Sequence, residues 1–227
     1  METLELVNSD AHATLRMRPS GLGGSPFVRV VHNEFAQAAA ACPLLLSKHA
    51  ETGAFYVGAL MGFKEGENLI DCPDGRPAFQ PMEADRDGFF AIGENIALDR
   101  AHSRFANGAS DLLFDSEGRP TSSLKVVQTA LGRLMAGSAG TELFIAELVA
   151  HGLIEPIDIK LNFDDGERLH LEGLYTVSLD ALGDLEDAAA LKLFRAGHLQ
   201  CAHIMVASLH HISLMARRRN ERLAMSA

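Results

Sequence analysis

The chain has 227 residues, 20 basic against 30 acidic, a formal net charge of −10, and ordinary globular shares of hydrophobic (47%) and charged (22%) residues. The acidic balance argues against a general nucleic-acid surface, which needs a basic field, and the absence of Trp leaves single-strand stacking platforms poorly supplied. Cys42, Cys72 and Cys201 form no CxxC motif and leave one cysteine unpaired in any pairing, which points to a reducing compartment.

Residues 1–26 show no basic segment followed by an apolar one, so no secretory signal is expected. With "PSGLGGSP" at their end, they read as a mobile N-terminal arm, followed by a single domain over 27–227. No apolar run reaches the ~20 residues of a membrane span. "FVRVVHNEF" (27–35) predicts a strand, and the Ala-rich turn after it is stopped by Pro43. "LLLS" and "AFYVGALMGF" (54–63) predict two further strands.

"KEGEN" then forms a corner, with Gly66 supplying positive φ. A short strand at 67–71 and a second turn at "CPDG" complete an expected meander. A phosphate cradle would need the glycine loop to open onto a helix, and here a strand is expected instead. "GFFAIGENIALD" (88–99) adds one or two strands.

A helix starts after "DSEGRP", capped at Thr121, Ser122 or Ser123, with Leu124, Val127, Leu131 and Leu134 at helical spacing. "TELFIAELVAHG" predicts a second helix stopped by Gly152. Ile157, Ile159, Leu161 and Phe163 alternate with polar residues, and "DDGE" turns the chain back through "RLHLEGLYTVS", which predicts a central β-hairpin with its odd-numbered face in the core. One helix over "SLDALGDLEDAAALKLFRAG" and one long terminal helix over "HLQCAHIMVASLHHISLMARRRNERLA" complete the chain. The fold class is therefore α+β, an antiparallel sheet or meander with a helical C-terminal half.

Ten histidines invite a metal reading. In the terminal helix His203 and His210 share a face, but seven residues separate them by ~10 Å, too far for one ion. His32 and Glu34, at period two on the expected strand, are the candidate ligands, since a His and a carboxylate on one face can form part of a facial triad completed by a further histidine. No GxSxG elbow is present and no cofactor is expected. Cys42 and Cys201 read as buried small residues, and "ARRRNERL" as cations at a helix end.

Several segments resemble the bacterial SapC family. "VHNEFAQAAAACPLLL" is similar to its opening segment, "GALMGFKEGENLI" to its most recognisable signature, "DLLFDSEGRPTSSL" to its Leu-Phe-Asp-x-x-Gly loop, and "ELVAHGLIEPIDIKLNFDDGERLHLEGLYTVSLDAL" to its helix–hairpin block. The resemblance covers about residues 28–219 in matching order. Where the family has an aromatic and arginine-rich segment ending in Tyr-Pro-Phe, this chain reads "AFQPMEADRDGFFAI". The resemblance implies association with bacterial surface layers and serum resistance, and assigns no catalytic residues.

The expectation that follows is a non-catalytic accessory or interaction protein, cytoplasmic, more a binder than an enzyme. The alternatives are a metal-dependent, oxygenase-like enzyme using His32, Glu34 and another histidine, and a surface-layer component. The terminal helix, apolar all round, predicts a homodimer with contacts at Met205, Ile212 and Met215, alongside a protein partner.

Overall fold

A computed structural model describes residues 4–19, 24–72, 78–106 and 108–226. Its strands are β1 (Leu4–Leu6), β2 (Arg16–Met17), β3 (Phe27–Arg29), β4 (Leu44–Lys48), β5 (Phe55–Leu60), β6 (Phe89–Ile92), β7 (Asn95–Asp99), β8 (Asp111–Leu112), β9 (Ile154–Pro156), β10 (Ile159–Asn162), β11 (Arg168–Leu171) and β12 (Tyr175–Val177). Its α-helices are α1 (Phe35–Ala39), α2 (Met82–Asp85), α3 (Ser122–Ala150), α4 (Leu179–Gly183), α5 (Asp187–Arg195), α6 (His198–Ser208) and α7 (His211–Ser226). The α+β class with antiparallel pairing holds.

The chain gathers into two compact units, one of residues 1–23 and 82–136, the other of 24–81 and 137–227. The first contains a three-stranded sheet in the order β1-β7-β6 and the pair β2-β8. Its core joins Leu15 and Met17 to Phe89, Leu98, Leu113 and the inner face of α3 at Leu124, Val127 and Leu131. The mobile arm read at 1–26 is therefore corrected over its described part. Leu4–Leu6 pairs with Ala97–Asp99, and Met17 is fully buried. Leu4 and Leu6 remain exposed, so backbone pairing rather than an apolar pattern holds this segment, which a sequence reading cannot see. Arg104 is buried here, donating Nη1 to the carbonyls of Asp85 (2.7 Å) and Asp87 (2.8 Å) and Nε to that of Arg18 (3.2 Å).

The second unit is built on a five-stranded sheet in the order β3-β5-β4-β12-β9, with the hairpin β10-β11 beside it. The hairpin forms over 159–171, with Ile159 facing Leu171 and Asn162 facing Arg168, but the returning strand expected through "RLHLEGLYTVS" stops at Leu171, and Tyr175–Val177 pairs instead with β4 and β9. Of the odd-numbered face expected in the core, Ile159 and Phe163 are buried and Ile157 and Leu161 half-buried, whereas Asp158, Lys160 and Asn162 are exposed. The strand predicted at 27–35 stops at Arg29, and residues 32–34 form a 3-10 turn that runs into α1. The strand expected at 67–71 does not form; Leu69 N bonds Met61 O (2.8 Å), and Asn68 Oδ1 accepts from the amides of Ile70 and Asp71. Pro73 and Gly75 of the expected second turn lie outside the described residues.

The two helices predicted around 121–152 are one, α3, of 29 residues. Thr121 caps its start, its Oγ1 accepting from Leu124 N (3.4 Å), and Gly152 follows its end with φ 64°. The helix read at 178–197 is two, α4 and α5. The terminal helix is also two, α6 and α7, separated at Leu209–His210. Met205 and Met215 are buried within their own chain, which removes them as dimer contacts. By length and composition alone His198–Met225 suffices to cross a membrane, where the sequence reading found no such run; its last turns, however, carry arginines bonded into the second unit.

Candidate functional site

The "KEGEN" corner gathers more charged contacts than its turn requires. Gly66 has φ 77°, and its N–H donates to Gly24 O (2.7 Å), so it is the turn residue expected. Glu67 points back over the corner: Oε2 accepts from Phe63 N (2.8 Å), and Oε1 pairs with Arg219 Nε (3.1 Å). Arg219 also donates Nη2 to Glu167 Oε2 (2.7 Å), and Lys64 pairs with the other oxygen of Glu167. The Arg219 guanidinium lies 4.1 Å from the centre of the Phe163 ring, and the residue is only 7% exposed.

Two further arginines of α7 extend this seat. Arg218 donates to Leu69 O (2.9 Å), and Arg222 donates to Asn68 O. Asn220 Oδ1 accepts from Asp164 N in the hairpin turn (3.2 Å). The positions 218, 219 and 222 lie within one helical turn, so a single face of α7 addresses both the corner and the hairpin turn. Lys64 and Arg219 balance Glu67 and Glu167, and this pairing holds the Glu167 carboxyl below the usual carboxylate range, Lys64 first and Arg219 next. The cluster is a socket that fastens α7. The sequence reading took these arginines as a helix end facing its own dipole and missed Lys64, Glu67, Glu167 and Arg219 as a group. Their spacing on α7 was the available signal.

His32 and Glu34 do not share a strand face, because they occupy the 3-10 turn. His32 Nδ1 donates to Gly137 O (3.0 Å), and its backbone N–H donates to Thr141 Oγ1 (2.8 Å). The ring sits against α3 where Gly140 has no side chain; a Cβ there would lie 2.8 Å from His32 Nδ1. Glu34 is buried, and its Oε2 accepts from Val31 N (3.1 Å), closing the turn. The expectation of a shared strand face was therefore wrong, and both residues secure the turn that leads into α1.

His198 approaches the same part of α3, its ring set edge-on to Phe144 at 5.7 Å. Its Nδ1 is buried without a hydrogen-bond partner among the described residues. Burial pushes its pKa down, against the pull of Glu147, with His32 and Lys192 adding to the downward shift. His211 Nε2 donates to Ala39 O (3.0 Å) and His210 Nδ1 to Ala207 O (2.6 Å), so these two rings bond backbone, while His203 is exposed. Among the described residues no group of three or more His, Cys, Asp or Glu side chains is arranged to hold a metal.

At the hairpin's open end His170 stands between two carboxylates, Asp158 (2.6 Å) and Glu172 (3.1 Å), beside a cavity of about 310 Å³ that Tyr175 also lines. All three side chains are largely solvent-exposed, where such pairs contribute little to stability. Their two contacts use opposite ring nitrogens, so this is a surface clasp between strands rather than a convergent ligand set.

The family model described as SapC matches residues 7–215, nearly the whole chain. No curated protein and no solved structure matches.

Proposed function

For this chain, which belongs to the SapC family, we propose a non-catalytic accessory role, exerted by binding another protein. The observation that supports it is where the polar side chains of the family-like motifs go. In "GALMGFKEGENLI" Glu67 holds Arg219 of α7 and Lys64 pairs with Glu167 of the hairpin, and in "VHNEF" Glu34 closes a turn while the His32 ring bonds Gly137 O. Buried groups that bond the chain's own backbone stabilise a scaffold and offer no poised acid, base or nucleophile. Elsewhere in the second unit two helices carry exposed large apolar side chains: Leu143 of α3 is 64% exposed and Phe194 of α5 is 69% exposed. Large apolar side chains held outward on rigid helices suit a protein contact.

The test is co-purification of the tagged chain after cross-linking in cells, compared with Leu143→Asp and Phe194→Asp, together with elemental analysis of protein purified without chelators. The reading predicts a defined partner at stoichiometric yield, lost in both variants while their melting is unchanged, and metal far below one equivalent. Stoichiometric iron or zinc, or partner recovery indifferent to both substitutions, would overturn it.

A further inference from the structure

We infer that a groove in the first unit, between α2 and the N-terminal half of α3, binds a free single-chain anionic amphiphile such as a medium-chain carboxylate. The groove is an open depression of about 340 Å³, within the size range of small-ligand sites. Met82, Val126 and Ala130 make its apolar floor. Met82 and Ala130 are buried, yet Val126 keeps 44% of its surface exposed, so the chain's own side chains leave that part of the floor uncovered. Positions 126 and 130 are one helical turn apart on α3, which makes the floor a continuous strip rather than a single contact.

Charge selects the ligand's head. Lys125 and Arg133 stand on the rim, eight residues and ~12 Å apart along α3, against one carboxylate, Asp85. The groove also reaches Ser122, where α3 begins and its dipole is positive. In a chain of net charge −10 this rim is locally cationic. A concave strip of this volume takes one alkyl chain; a bilayer surface would need a flat or protruding apolar face. An alkyl carboxylate satisfies both features, with its chain on the floor and its head beside Lys125.

The probes are decanoate, decanol and decyltrimethylammonium, each below its micelle concentration, titrated into the full chain carrying methyl-labelled methionine, with Met82 as the reporter. Decanoate should shift the Met82 methyl with saturable 1:1 behaviour, binding about tenfold more tightly than the ammonium. Lys125→Glu should reverse that order, and Val126→Asp should abolish binding of all three. Both substitutions are at exposed positions, and melting curves check that the fold is kept; should Val126→Asp fail to fold, the charge reversal at Lys125 still decides. No saturable shift with decanoate, equal affinity for anion and cation, affinity unmoved by Lys125→Glu, or binding only to anionic vesicles would each overturn the inference.

Discussion

Two glycines four positions apart at the same corner, Gly62 and Gly66, should respond very differently to a single added methyl. At Gly66 a Cβ meets nothing within 4 Å, so Gly66→Ala carries only the backbone penalty of φ 77°, about 1 kcal/mol. At Gly62 the same atom would fall well inside contact distance of the Glu67 carbonyl oxygen and 2.8 Å from its carbonyl carbon. Carbon atoms pack at about 3.5–4.0 Å, so the corner must move by roughly 1 Å. That movement strains the bonds from Phe63 N to Glu67 Oε2 and from Leu69 N to Met61 O, both 2.8 Å. Overpacking costs about 1–3 kcal/mol and each lost bond about 1 kcal/mol, so Gly62→Ala should cost about 3–5 kcal/mol. Urea unfolding followed by tyrosine fluorescence isolates the effect, because the chain has no Trp and its two tyrosines, Tyr56 and Tyr175, lie in the second unit. If Gly62→Ala proves no more damaging than Gly66→Ala, the corner is not packed as described and the socket argument fails with it.

Three further outcomes follow from the structure. Cys42 is fully buried and its thiol is pushed up to about 12 by desolvation, so it should react with a disulfide reagent only as fast as the native chain unfolds, whereas Cys72 should react ahead of it. Burial lowers the pKa of both His198 and His211, so the folded state favours their neutral forms; stability is fully present above the ordinary histidine range and should decline as pH falls below ~6.5, before the carboxylates titrate, and His198→Phe should flatten that decline in urea midpoints between pH 7.5 and 5.5. Arg104→Ala leaves three carbonyls of the first unit without their donor and should cost about 3 kcal/mol or more, with Arg104→Lys recovering only part of it, as read by thermal melting monitored through circular dichroism.

How far the fold was legible depended on whether a segment's neighbours were local. The hairpin β10-β11 was readable because Ile159, Leu161 and Phe163 alternate with exposed polar residues and Gly166 marks the turn. The strand at 67–71 was not, because Asn68 gives the backbone side-chain bonds that replace a ladder. The second helix expected over "TELFIAELVAHG" is the continuation of α3, which runs through Gly137 and Gly140; at Gly140 the absent side chain lets the His32 ring sit against the helix. His32 and Glu34 were paired on the assumption of a shared strand face, which the 3-10 turn at 32–34 replaces. The socket was the least legible part. Lys64, Glu67, Glu167 and Arg219 come together from three distant segments, and although the arginine spacing on α7 marks a face, nothing local names the acids it meets.

The most direct test of the central claim, that the "KEGEN" corner exists to seat α7, is a double-mutant cycle between Glu67 and Arg219. Glu67→Gln, Arg219→Met and the pair are compared by urea unfolding at neutral pH. The two losses should not add, with a coupling of about 1–3 kcal/mol between residues far apart in the chain. Strict additivity would contradict the claim.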